Sequence, residues 1–317
     1  MTQSAGLAPS IPVASDTPIV IPIKAMQIGH KLIYYISIQV GGAPETKALL
    51  DTGSVGLRIA EGDVPAVSGG RKSTYSYASG VELEGNLQHH DVQLGSIVAH
   101  RVTVDVVHKL HCTDKIPNCH VSGLGPGAYF SYGVDGISSS EIGAIIGTSL
   151  GEGRDAPNPL IEAGFKRWIV SLPSSVTDTG SLILNPTPDQ LHGFYYSPVD
   201  LTGRYKICMS AGVNATACEP GMLDTGAPHI DLYLPQVRRQ ILPGGEWVQM
   251  TLGSAGLQTP TIRFRAGKRN EIDSIIVQPL ESVYWREPFI NAGVVPFLHF
   301  DVLFDAKGRS IGLRSRT

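Results

Sequence analysis

No stretch of the 317-residue sequence approaches the roughly 18 consecutive apolar residues needed to span a bilayer. The segment Ile19 to Ile23 is short and carries Pro22. Charge of one sign is missing too: a net charge of −3 with no basic stripe argues against a nucleic-acid partner, and no run of like charges marks a solvated tail. The N-terminus, MTQSAGLAPSIPVASDTP, lacks the basic-then-apolar order of a signal peptide and reads as a flexible leader over residues 1–18. Gly-x-Ser-x-Gly occurs at Gly147-Thr-Ser149-Leu-Gly151 and Gly308-Arg-Ser310-Ile-Gly312, but neither opens directly onto an expected helix as a nucleophile elbow does, and Gly123-Leu-Gly-Pro-Gly127 precedes no helix that could cradle a phosphate. Serine-nucleophile and nucleotide-binding chemistry therefore have no motif in the setting they need.

What the sequence does contain is apolar side chains and chain reversals. Hydrophobic residues make up 42% and charged residues 17%, enough for a large core or two smaller ones. The 36 glycines and 22 prolines exceed what a helical protein tolerates. Leu32-Ile-Tyr-Tyr-Ile-Ser-Ile-Gln-Val alternates, is rich in β-branched and aromatic residues, and ends on Gly41-Gly42, the pattern of a strand and turn. Thr46 to Leu50, Val92 to Val98, Arg101 to Val107, Trp168 to Leu172 and Ser181 to Leu184 repeat it. Helix is expected only near Pro159 to Gly164 and Leu234 to Leu242. Strands with isolated short helices predict an all-β fold.

Four cysteines fall into two close pairs, Cys112 with Cys119 and Cys208 with Cys218. Two local disulfides suit this spacing and an oxidising compartment, secreted or periplasmic, although three pairings and the reduced state stay open on sequence grounds. His108, His111 and His120 lie near the first pair, but their spacing matches no zinc pattern, so no metal and no cofactor are expected.

The most informative feature is a repeat. Ala-Leu-Leu-Asp51-Thr52-Gly53-Ser54 recurs half a chain later as Gly-Met-Leu-Asp224-Thr225-Gly226-Ala227. A carboxylate at the end of a buried strand cannot disperse its charge into water, and a second one about 3 Å away makes double ionisation costly. Such a pair shares a proton and offers an acid and a base from one residue type. Gly53 and Gly226 let the backbones turn sharply, and the Thr52 and Thr225 hydroxyls can tie loop to loop.

These two units resemble the active-site loops of the pepsin-like aspartic peptidases, and the likeness extends over most of the chain. Tyr77-Ala78-Ser79-Gly80 and the segment to Gly95 are similar to the family's flap hairpin, Ile145-Ile146-Gly147 to the element behind the first loop, and Pro159 to Phe165 to the helix that follows. Phe297 to Asp305 and Ser310 to Leu313 resemble the closing strands. The resemblance implies two β-rich lobes, 19–172 and 173–317, with a central cleft. It also implies hydrolysis of a peptide or protein substrate by a monomer, with Asp51 and Asp224 activating water and Tyr77, Ala78, Ser79 and Gly80 closing over the substrate. A non-proteolytic acid-base reaction, such as dehydration or cyclisation of a small molecule, and a silent binding protein are the alternatives on the same scaffold.

Four departures carry expectations. Ala227 lacks the hydroxyl that Ser54 offers its carboxylate, which predicts a raised pKa for the pair. Val55-Gly-Leu-Arg58 replaces the usual support of the flap tyrosine, so Tyr77 hangs more freely or takes another partner. Arg58 is either a snorkelling surface charge or a cleft residue that reads a carboxylate. Asn291-Ala292 makes a poor apolar pair before Gly293, and the compact second half leaves a more open cleft.

Overall fold

Apolar-polar alternation builds the first strand. In β1 (Ile19–Ile28), Ile19, Ile21 and Ile23 are buried while Val20, Pro22 and Lys24 face out. These positions come from a computed structural model that describes residues 17–316 apart from 66–68, 154, 212–214, 254–258, 270 and 281–286. The expected leader therefore lies outside the described residues up to position 16.

The same pattern continues through β2 (Lys31–Val40), β3 (Thr46–Asp51), β4 (Val55–Ala60), β5 (Arg71–Ser76), β6 (Val81–Leu94), β7 (Ile97–Cys112) and β8 (Ile142–Thr148). After a single helical turn, α1 (Pro159–Glu162), come β9 (Arg167–Ser171), β10 (Gly180–Leu184) and β11 (Tyr195–Pro198). Then follow β12 (Tyr205–Ala211), β13 (Ala215–Met222), β14 (Ile230–Leu234), β15 (Gln240–Ile241), β16 (Trp247–Leu252), β17 (Thr261–Arg265), β18 (Ile275–Pro279) and β19 (Phe289–Asn291). A second helical turn, α2 (Val295–His299), leads into β20 (Phe300–Asp305) and β21 (Ser310–Ser315).

The protein is mostly β, in two sheets. Among the described residues thirteen strands form one, in the order β11-β21-β20-β9-β10-β1-β2-β3-β8-β4-β7-β6-β5, and eight form the other, β15-β18-β14-β19-β13-β12-β16-β17. The chain's last strands thus join the sheet that its first strands begin. β1 makes the link by dividing its pairing: Ile19–Ile23 lie along β10 and Lys24–Ile28 along β2. Pro22 falls where β1 pairs β10 on one side, so its missing N–H can face the open side of the ladder.

Strand β8 is buried along its whole length, and its unbroken Ile-Gly-Ala-Ile-Ile-Gly-Thr run reflects packing on both faces. Trp168 and Phe304, on adjacent strands, stack 5.8 Å apart in the main core. The disulfides join Cys112 to Cys119 and Cys208 to Cys218, the latter pair directly opposite on β12 and β13.

Three expectations need correction. Leu234 to Leu242 is not helical: β14 ends at Leu234, Pro235 follows, and Gln236 sits at φ 57°, a left-handed conformation that stops a helix. Its apolar spacing reflects Leu234, Val237 and Leu242 each packing on the core edge. Val92 to Val98 is two strand ends around the turn at Gly95, not one strand. A helical turn, α2, stands where strand was expected from Phe297, because Pro296 presets the first turn.

Candidate active site

Each Asp-Thr-Gly unit leaves a strand edge-on to the other. β3 runs directly into Asp51, and a corresponding loop leaves β13 at Leu223 for Asp224. Behind the first, β8 lies parallel to β3, with Gly147 opposite Asp51, and antiparallel to β4, with Gly147 opposite Gly56. Behind the second, β19 repeats the arrangement, parallel to β13 and antiparallel to β14. A side chain at Gly147 would run into the Ser54 hydroxyl.

The two loops are tied together through their threonines. The Thr52 N–H donates to Thr225 Oγ1 and the Thr225 N–H to Thr52 Oγ1, both at 3.1 Å. Each hydroxyl then donates onward, Thr52 to the Leu223 carbonyl at 2.9 Å and Thr225 to the Leu50 carbonyl. All four groups are buried, where an unmet donor or acceptor is costly, so the bonds set the spacing of the carboxylates. The glycines permit that spacing: a Cβ on Gly53 would overlap the Asp224 carboxyl, and one on Gly226 would press on that of Asp51.

The carboxylates receive matching sets of donors. Asp51 Oδ1 accepts from the Gly53 and Ser54 N–H groups at 2.9 and 3.1 Å, and Asp224 Oδ1 from those of Gly226 and Ala227 at 2.8 and 3.2 Å. On the outer oxygens, the Ser54 hydroxyl donates to Asp51 at 2.5 Å and the Asn291 amide to Asp224 at 2.6 Å. Asn291 therefore supplies the donor that Ala227 lacks. The raised carboxyl expected from Ala227 cannot stem from a missing donor, because the Asn that spoils the apolar pair before Gly293 supplies one. Asp224 nevertheless holds its proton well above the usual carboxylate range, first through burial and then through the charge of Asp51, with the Asn291 bond opposing. The two carboxyls also hydrogen-bond each other, so one proton serves both.

A hairpin of β5 and β6 stands over β4. Its turn is closed by Gly80 N–H to the Tyr77 carbonyl at 3.0 Å, with Gly80 at φ 84°. Of the predicted turn residues, Ala78 is exposed and Ser79 bonds only locally, its hydroxyl accepting from Val81 N–H at 3.5 Å. Gly80 packs on Ile116, inside the loop closed by Cys112 and Cys119, and its carbonyl accepts from Thr113 N–H at 2.8 Å. The disulfide loop thus braces the hairpin end.

Tyr77 does not hang free. Its ring meets Tyr75 edge-on at 4.9 Å, and its hydroxyl is buried. Tyr75, which no sequence motif singled out, reaches Ser54 and lies in the field of both Asp51 and Asp224. Only its spacing from Tyr77, two residues along the same face of the strand, could have marked it.

Arg58 is not a surface charge: its residue is 2% exposed, and its guanidinium lies 3.5 Å from the Tyr75 ring centre and 5.9 Å from that of Tyr77. One amino group donates to the Val55 carbonyl at 2.9 Å. Burial works against its charge, but Tyr77, Tyr75, Asp105 and Asp51 together outweigh that cost. Asp105 itself reaches past β6 to accept from the Ser73 hydroxyl at 2.5 Å, through a gap kept open by Gly85, where a Cβ would strike the carboxylate.

Among the described residues no group of His, Cys, Asp and Glu is arranged to hold a metal ion. His111 bonds Glu82 at 2.9 Å, and its neighbour Cys112 is in a disulfide. Among the described residues no helix is long and apolar enough to cross a membrane. Compared with protein-family models and with curated proteins, the chain matches none.

Proposed function

We propose that this protein is an aspartic-type endopeptidase with a pepsin-like fold, in which the two Asp-Thr-Gly-bearing halves of the chain are the two lobes and the β5–β6 hairpin is the flap. The observation that carries the reading is the reciprocal threonine bracing that holds two hydrogen-bonded carboxyls, each backed by a matching donor set.

In this reading Asp224 carries the shared proton and Asp51 the negative charge. A water between them gives a proton to Asp51 as its oxygen attacks the peptide carbonyl carbon, while Asp224 protonates the carbonyl oxygen. The tetrahedral diol then collapses: the C–N bond breaks, the nitrogen takes the proton from Asp51, and a diol hydroxyl returns one to Asp224. The Ser54 and Asn291 bonds keep the outer oxygens occupied, so the inner ones face the water. Tyr75 and Tyr77 line the flap side, the substrate is a peptide or protein, and the working form is a monomer. The two disulfides suit a secreted or periplasmic setting.

A mixed peptide pool incubated with the protein tests this. Cleavage should be blocked by a statine-type inhibitor and reduced about 10²- to 10⁴-fold by Asp224→Asn or Asp51→Asn. A folded protein that cuts no peptide would overturn the proposal.

A further inference from the structure

Beneath the hairpin, beside Asp51, three buried polar atoms have no hydrogen-bond partner among the described residues: Arg58 Nε, Arg58 Nη1 and the Tyr77 hydroxyl. All three can donate, and the two on Arg58 can only donate. Among the described residues Arg58 makes no ion pair within 4 Å; Asp51 and Asp105 act on it from farther away. Buried unpaired donors cost about 1–3 kcal/mol each, more when charged. What complements such a set is a group with several lone pairs, and a guanidinium matches the two oxygens of a carboxylate edge to edge.

The location defines whose carboxylate it is. Arg58 stacks on Tyr75, which faces Ser54 and both catalytic carboxyls, and it donates to Val55, the residue after Ser54. A chain lying across Asp51 and Asp224 therefore presents to Arg58 a side chain close to the bond under attack.

We propose that Arg58 and Tyr77 form a specificity subsite for a carboxylate side chain, Asp or Glu, on a peptide bound across the Asp51–Asp224 pair. This deepens the peptidase reading and rests on it. The subsite discriminates by leaving two guanidinium donors and a phenol unmet whenever the side chain is apolar, a penalty that a matching acceptor removes. Asp135, buried and close enough to act on Tyr77, does not meet its hydroxyl: its carboxylate is turned to the Ser138 hydroxyl at 2.7 Å and to the Ile137 and Ser138 N–H groups.

The test uses the full chain carrying Asp224→Asn, immobilised and offered two peptide pools that differ only in Glu against Gln at one fixed position; captured peptides are quantified by mass spectrometry. A charged hydrogen bond gained or lost corresponds to about a tenfold to hundredfold ratio. Glu peptides should be enriched by that factor, Tyr77→Phe should lower the ratio, Arg58→Met should abolish it, and Arg58→Lys should keep part of it. Equal capture of the two pools, or capture of neither, overturns the subsite. Discrimination by the Asp224→Asn chain itself, and its change on adding Tyr77→Phe, keep the test decisive even if Arg58→Met does not fold. Cleavage of the Gln pool by the unsubstituted protein separately decides the peptidase reading, so the two failures are distinguishable.

Discussion

Replacing Asn291 with Leu removes a single donor from Asp224 while nearly keeping volume. The amide donates to Asp224 Oδ2 at 2.6 Å. A hydrogen bond to a charged group contributes about 1.5–3 kcal/mol, and one pKa unit corresponds to 1.36 kcal/mol. Asp224 is only partly buried as a residue, so the lower end, about one unit, is the expected shift. The donor favours the ionised carboxylate over the acid, so its loss pushes an already raised Asp224 higher. The sign for stability follows. A carboxyl whose folded pKa lies above its unfolded value binds extra protons in the native state. Its contribution is complete below the unfolded value, near pH 4, and is lost as pH rises through the folded one. Urea midpoints measured from about pH 4 to pH 9 should fall with pH in the wild type. Asn291→Leu should carry that fall about one unit higher, and Asp224→Asn should remove the part that belongs to this site. Superimposable curves for wild type and Asn291→Leu would refute the reasoning, as would a full slope retained in Asp224→Asn.

Thr225→Val deletes the acceptor of Thr52 N–H and the donor to the Leu50 carbonyl, both buried. It should cost about 2–5 kcal/mol of stability in urea titration; a loss below about 0.5 kcal/mol would show the brace to be dispensable. Removing the first disulfide with Cys112→Ser and Cys119→Ser frees the loop that packs on Gly80. A loop this short should yield a loss of about 2–3 kcal/mol on the loop-entropy account, with faster amide exchange concentrated at Tyr77 to Val81. Unchanged exchange there would mean that the loop does not brace the turn.

Much of this architecture was legible because strand grammar is local. Alternation in β2 and the apolar run that ends on Asp51 each depend on neighbours in sequence, whereas the turn at Gly95, which divides Val92 to Val98, was missed. The two disulfides were legible for the same reason, since each closes a short segment. Leu234 to Leu242 misled because apolar residues at helical spacing also arise when separate strand ends meet one core, and only the left-handed Gln236 distinguishes the cases. Asn291 was misread as a defect of an apolar element. Its partner, Asp224, is distant in sequence, and no local pattern shows which carboxylate lacks a donor.

By itself the sequence determined an all-β chain and singled out Asp51 and Asp224, because a repeated apolar-apolar-Asp-Thr-Gly unit needs no third dimension to be seen. Tertiary structure decided what surrounds the pair: Asn291 in the role that Ala227 cannot fill, Tyr75 rather than Tyr77 alone facing the carboxylates, and Arg58 buried against two phenols. Those are contacts between strands far apart in the chain, and burial fixes their strength, since the same guanidinium in water would have neither unmet donors nor a field to share with Asp51.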